Sequence, residues 1–144
     1  MEKRKLPRGL RNNNPLNIKS FKEKWQGQVG DDGTFCIFQS LMWAFRAVFK
    51  LLMHYNRLHR YTVRSIIERW APATENDTNA YVESVCRNTG FEPTTIIDVA
   101  NTEDEYEAKQ LVLAMASVEL GMDFEKVKEL FKDDIYAGYE LAVG

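Results

Sequence analysis

Two glutamates have the surroundings to move or hold a proton. Glu119 closes an apolar stretch, residues 107–120, in which Leu111, Val112, Ala114, Met115 and Val118 supply a low-dielectric setting. Such a setting and the negative end of a helix both favour the neutral carboxyl, as a general acid requires. The plain alternative for Glu119 is a solvated carboxylate at a helix end. Glu75 lies in the polar run Ala73-Thr74-Glu75-Asn76-Asp77-Thr78. A loop carboxylate in water makes a poor acid, but it can position a polar ligand or brace its own loop. Asp77 in the same run can serve as a helix N-cap.

Asn13, Asn14 and Asn17 each donate and accept hydrogen bonds. They suit a ligand rich in hydroxyl and amide groups, or equally a loop bonded to itself. Trp25 and Tyr81 offer flat faces for stacking, whereas Trp43 and Trp70, flanked by apolar residues, read as core. Cys36 and Cys86 have apolar neighbours and read as buried thiols rather than a bridge. His54 and His59 are the only histidines, no cysteine pair has zinc spacing, and no serine or cysteine has a plausible histidine partner motif. No metal or other cofactor is expected.

The elements that must carry these groups are legible in order. The cluster Asn12-Asn13-Asn14-Pro15 predicts a loop over residues 1–15. Residues 16–39 lack a helical period, and Asp31-Asp32-Gly33 is a turn signal, so two or three short antiparallel strands are expected. Residues 41–57, after Ser40, are apolar except for a stripe of Arg46, Lys50, His54 and Arg57. A helix apolar on most of its circumference belongs at the centre of a domain. Thr62 opens a shorter helix to Trp70, which Pro72 stops. Asn76 or Asp77 caps another, to about Thr89, which Gly90 ends. Phe91 to Ala100, with Pro93, reads as an extended connection or a short turn. Thr102 caps a helix over Glu103 to Leu120, ended by Gly121. A further helix spans Phe124 to Phe131, and a last short one lies near Tyr136–Val143.

The 144 residues, with 44% hydrophobic and 12% aromatic side chains, suffice for one core, so a single domain over residues 1–144 is expected. The pattern is α+β and mainly helical, with a small antiparallel β-element near the N-terminus. No stretch approaches the roughly 18 to 20 apolar residues of a membrane helix. The start, MEKRKLPRGLRNNNP, is basic but no apolar run follows it, so no signal peptide is expected. The net charge of −2 conceals a split: residues 1–91 carry 15 basic and 8 acidic side chains, residues 92–144 carry 4 and 13. Arg57, Arg60, Arg64 and Arg69 are spread along helix exteriors, without the aromatic interleaving of a nucleic-acid surface. Solvated faces and mutual attraction of the two halves account for the split.

The string Arg8-Gly9-Leu10-Arg11-Asn12-Asn13-Asn14-Pro15-Leu16-Asn17-Ile18 resembles the opening of a family of bacteriophage and prophage lysozyme-like proteins. Trp25-Gln26-Gly27 is similar to that family's W-x-G element, and Phe35 with Phe38 to its F-x-x-F strand. Ala44-Phe45-Arg46-Ala47 is similar to the start of its central helix. Trp70-Ala71-Pro72-Ala73-Thr74-Glu75-Asn76-Asp77-Thr78 with Tyr81 resembles its W-A-P-x-x-E-N-D-T-x-x-Y block, and Val118-Glu119-Leu120-Gly121 its H-E-N-G. Four positions depart from the pattern. Leu16 and Ala44 stand where glycine is usual, Val118 where histidine is, and Leu120 where asparagine is.

The resemblance implies a lysozyme-like fold and cleavage of bacterial peptidoglycan, as a muramidase or a lytic transglycosylase. It implies Glu119 and Glu75 as catalytic candidates, and Asn14, Asn17, Trp25, Asp77 and Tyr81 as substrate-binding ones. Two carboxyls facing one cleft would form a pair whose separation sets the stereochemistry. Lysozyme-like folds set their acid at the end of a buried helix just before the β-region. Here that helix comes late and the β-region early, so a circularly permuted order is expected, with Glu119 against the Asn12–Ile18 loop. The implied partners are glycan strands and the phage virion or lysis components that would deliver a protein made in the bacterial cytoplasm without its own leader. The competing reading is a non-catalytic phage structural or glycan-binding protein on the same fold.

Overall fold

The computed structural model describes residues 6–144. Residues 1–5, the basic start on which the export reading partly rests, lie outside the described residues.

Within the expected N-terminal loop, Arg8–Arg11 forms one helical turn, α1, entered from Pro7. The hairpin follows as β1 (Gln28–Asp31) and β2 (Cys36–Phe38), antiparallel, with Lys19 bridged to Phe35 beside it. Its turn is made by aspartate side chains: Asp32 Oδ1 accepts from the amides of Thr34 and Phe35 at 3.1 and 2.8 Å, and Asp31 Oδ1 from that of Gly33 at 2.8 Å. The sheet thus has two strands, and the molecule is α+β and mainly helical.

The central helix α2 spans Leu41–Arg57, with Phe45, Val48, Phe49 and Leu52 fully buried and His54 and Arg57 exposed. Ser40 stands at its N-cap but makes no side-chain cap bond. Thr62 caps α3 (Val63–Trp70) through a reciprocal pair of bonds with Ser65. Asp77, not Asn76, caps α4 (Thr78–Thr89) by accepting from the amide of Ala80, and Gly90 ends it in the left-handed conformation. The extended connection after α4 is fastened by buried Asn56, which donates to the carbonyls of Arg60 and Ile97 and accepts from the amide of Val99.

Two expected boundaries change. Asn101, rather than Thr102, makes the cap, and Thr102–Asp104 is a 3-10 turn leading into α5 (Glu105–Leu120). The two expected C-terminal helices are one, α6 (Phe124–Val143). Lys132-Asp133-Asp134 lies on its outer side, while Phe124, Val127, Phe131, Ile135, Tyr139 and Ala142 keep a continuous buried face. Gly138 permits the closest approach to α2: a Cβ there would fall 2.5 Å from Phe45 Cβ and 3.0 Å from the Arg46 amide nitrogen. That is nearer than any side chain tolerates.

The pairing of α2 with α6 is the largest in the core. Phe45 meets Phe131 edge-on at 5.3 Å between centroids and Phe49 meets Tyr139 at 5.1 Å, each such pair adding about 0.5–1.5 kcal/mol beyond area burial. Tyr139 resolves its buried hydroxyl by donating to the Val99 carbonyl at 2.9 Å. Among the described residues, no ion pair joins the basic and acidic halves: Lys19 pairs with Glu75, and the others lie within residues 105–132. Apolar packing makes the close contacts between them. Cys36 is buried and Cys86 half-buried, and both are free thiols. No helix among the described residues is long and apolar enough to cross a membrane.

Candidate functional site

The site begins with the asparagine run. Asn14 is fully buried; its Nδ2 donates to the carbonyls of Ile18 and Cys36, both at 3.0 Å, and its Oδ1 accepts from the Ile18 amide at 2.9 Å. Asn12 donates to Asp32 at 3.0 Å, and Asn13 to the Phe38 carbonyl at 3.0 Å. These three side chains tie the loop to the hairpin and offer little to a ligand. Asn17 differs in its partner: left-handed like Asn13, with φ of 54°, it lines the groove instead of tying the loop to the hairpin. Its Nδ2 donates to Glu119 Oε1 at 3.3 Å, across 102 positions of sequence, and its Oδ1 is enclosed without a partner.

Glu119 is the penultimate residue of α5, which Gly121 ends in the left-handed conformation. The start of the chain reaches this helix end because Gly9 lacks a side chain: a Cβ there would stand 2.8 Å from Leu120 Cδ2. Leu120 and Leu16, two departures from the family pattern, are both core residues. Ala44, a third, is fully buried on α2. The fourth, Val118, is half-buried against the core. Beneath the carboxyl, the Tyr81 hydroxyl donates to Oε2 at 3.0 Å. Burial pushes the Glu119 carboxyl above the ordinary glutamate range, and it prevails over the opposing hydrogen bonds of Tyr81, Asn17 and Trp70 and the more distant Arg8 charge. Burial and the neighbouring Glu119 charge hold the Tyr81 phenol well above its usual range, so it stays a proton donor in this bond.

Glu119 borders a groove of about 700 Å³. Leu16–Lys19 and Phe35 line it from the N-terminal side, and Tyr55, Arg69, Trp70 and Glu75 from the helical side. The expected contact between Glu119 and the Asn12–Ile18 loop is therefore present, through Asn17. Glu75 borders the same groove but is far from enclosed. Its side chain is 58% exposed and pairs with Lys19 at 3.5 Å.

The other expected site residues fall elsewhere. Asn14 is turned into the loop. Tyr81 is only 6% exposed, so it supports Glu119 from behind and presents no face for stacking. Asp77 is the α4 cap and lines neighbouring hollows, not the groove. Trp25 packs partly buried against the core, outside the groove lining. Trp70 packs partly buried against the core, as expected, and also borders the groove with Glu119. Arg8 and Arg69 also line it and were not singled out by sequence. The signal available was their position inside or beside the two longest matching blocks. Among the described residues, no group of three or more side chains is arranged to hold a metal ion.

A helical domain with an enclosed carboxyl at a groove, tied to a distant N-terminal loop, defines the class to which known proteins can be compared. No family model matches the chain. It is 33% identical over 138 residues to Protein P5 of Pseudoalteromonas phage PM2, a match that spans 90% of this chain and 82% of that protein. The chain belongs to the family of this phage protein.

Proposed function

We propose that the protein is a lysozyme-like, peptidoglycan-cleaving enzyme of phage origin, with Glu119 as general acid and a circularly permuted element order. The observation that carries this reading is the state of Glu119: a carboxyl raised by burial, held by two neutral donors, and open to a groove of oligosaccharide size. A protonated Glu119 gives its proton to the bridging oxygen as the bond between N-acetylmuramic acid C1 and that oxygen breaks. The carboxylate so formed then accepts a proton from the incoming hydroxyl. That hydroxyl is water in a muramidase, or the sugar's own 6-hydroxyl in a lytic transglycosylase. The second route needs one carboxyl alone, which suits a groove whose other glutamate is solvated and ion-paired. Trp70 supplies a flank of the groove beside the carboxyl. A virion or lysis system would bring the protein from the cytoplasm to the wall.

The test is release of soluble muropeptides from purified sacculi. Wild-type protein releases them, with 1,6-anhydro ends for a transglycosylase and reducing ends for a muramidase. Glu119→Gln, which keeps the shape but cannot deliver a proton, loses about 10²- to 10⁴-fold in rate. Wild-type turnover in Glu119→Gln with a dead Glu75→Gln would reverse the assignment. No release by wild-type protein, where a control lysozyme releases fragments, would establish the non-catalytic, glycan-binding or structural role.

A further inference from the structure

We infer that the groove selects glycans that carry carboxylates, and that Arg8 and Arg69 are its specificity-determining residues. The inference rests on the glycan reading above and adds to it what the groove distinguishes among glycans.

The two arginines come from different elements, and each lies over an aromatic ring of the lining. Arg8, from α1, has its guanidinium carbon 3.9 Å from the centroid of the Phe35 ring. Arg69, from α3, lies 5.6 Å from the centroid of the Tyr55 ring on α2. All four residues line the groove. A guanidinium held over an aromatic face keeps its N–H edge free, and that planar fork matches a carboxylate in two parallel bonds. Among the described residues, neither arginine forms an ion pair, whereas the third cation of the lining, Lys19, is matched by Glu75.

The charge balance of the groove follows. Lys19 and Glu75 cancel, and Glu119 in its proton-donating form contributes none. Two arginines remain, Arg8 from α1 and Arg69 from α3. Such a field favours an anionic strand and gives no advantage to a neutral one. On a peptidoglycan strand, carboxylates occur on the lactyl ether of the muramic acid and on the stem peptide. A polymer of N-acetylglucosamine has neither.

The experiment measures binding to Glu119→Gln, so that cleavage does not interfere. Its ligands are a neutral chitooligosaccharide, a peptide-free glycan with lactyl carboxylates, a stem-peptide-bearing strand, and that strand with its carboxylates converted to methylamides. The carboxylate forms bind about tenfold tighter than the methylamide and neutral forms, as expected for charge-assisted bonds. Added salt erodes the difference. Preference already present in the peptide-free strand identifies the lactyl group; preference appearing with the peptide identifies the stem. Arg8→Gln and Arg69→Gln each reduce the preference several-fold, and Arg→Lys at either position retains part of it. Circular dichroism checks that the variants remain folded. Equal affinity for carboxylate and methylamide strands overturns the inference, as does a preference untouched by either substitution or a failure to bind any of the four. If wild-type protein cleaves neutral and anionic strands equally, this inference falls and the enzymatic reading stands. If Glu119→Gln binds carboxylate strands selectively while wild-type protein cleaves nothing, the inference stands and the enzymatic reading falls.

Discussion

Glu119 and Glu75 border one groove, yet the first is enclosed at the end of α5 and the second stands in a loop with its side chain 58% exposed. Their partners differ as much as their burial. Glu119 is met by a phenol and an amide, neutral donors that steady the carboxyl without supplying a full opposing charge. Glu75 meets an ammonium group in water, a pair of a kind worth about 0.2–1 kcal/mol at most. The same side-chain chemistry is thereby divided between a floor that can hold a proton and a rim that can only hold a shape.

The sharpest way to break this contrast is the pair of amide substitutions described above. Glu119→Gln carries the largest loss, and Glu75→Gln stays within about threefold of wild type, as expected for an exposed pair. Tyr81→Phe comes between them. Removing the hydroxyl takes away a bond that favours the charged carboxylate, so the neutral form persists to higher pH. The basic limb of the rate profile accordingly moves to higher pH in Tyr81→Phe, measurable as kcat/KM against pH. A limb that moves the other way would show that the phenol does not serve the carboxyl as described.

The next effect is on stability. The folded pKa of Glu119 is raised above its unfolded value, so its contribution is fully present below the unfolded pKa and is lost as pH rises through the folded pKa. Glutamine carries no such penalty. Glu119→Gln therefore melts higher than wild type at neutral pH, by on the order of 2–4 °C for each kcal/mol relieved, and the gain shrinks toward acid pH. Thermal scans at several pH values check this. A Glu119→Gln protein that is less stable at neutral pH would mean that its two hydrogen bonds outweigh burial.

Local signals were legible in the sequence wherever one element decided its own bounds. The apolar circumference of residues 41–57 gave α2 its full extent, Thr62 gave the start of α3, and Gly90 gave the end of α4. The unity of α6 was hidden because Lys132-Asp133-Asp134 looks like a break, although these residues only face outward. Glu119 was found from the apolar helix that encloses it. Tyr81 supports Glu119 from behind, and Trp70 adds a groove contact to its core packing, because both placements depend on which element passes in front of them. Asn14 bonds within its own loop and to β2 while Asn17 reaches Glu119, a difference that residue type alone does not signal. Arg8 and Arg69 become a pair only once α1 and α3 border the same groove.

The bond from Asn17 to Glu119 closes a loop that encompasses most of the protein. The carboxyl at the end of α5 acquires its full set of neighbours only after residues near both ends of that span have met. During synthesis, Asn17 is made long before α5, so the groove gains its floor only once α5 is complete. A polypeptide interrupted anywhere in between has the loop or the helix but not the assembled site. Completion of the site is therefore a late event in the life of each chain, tied to full-length folding.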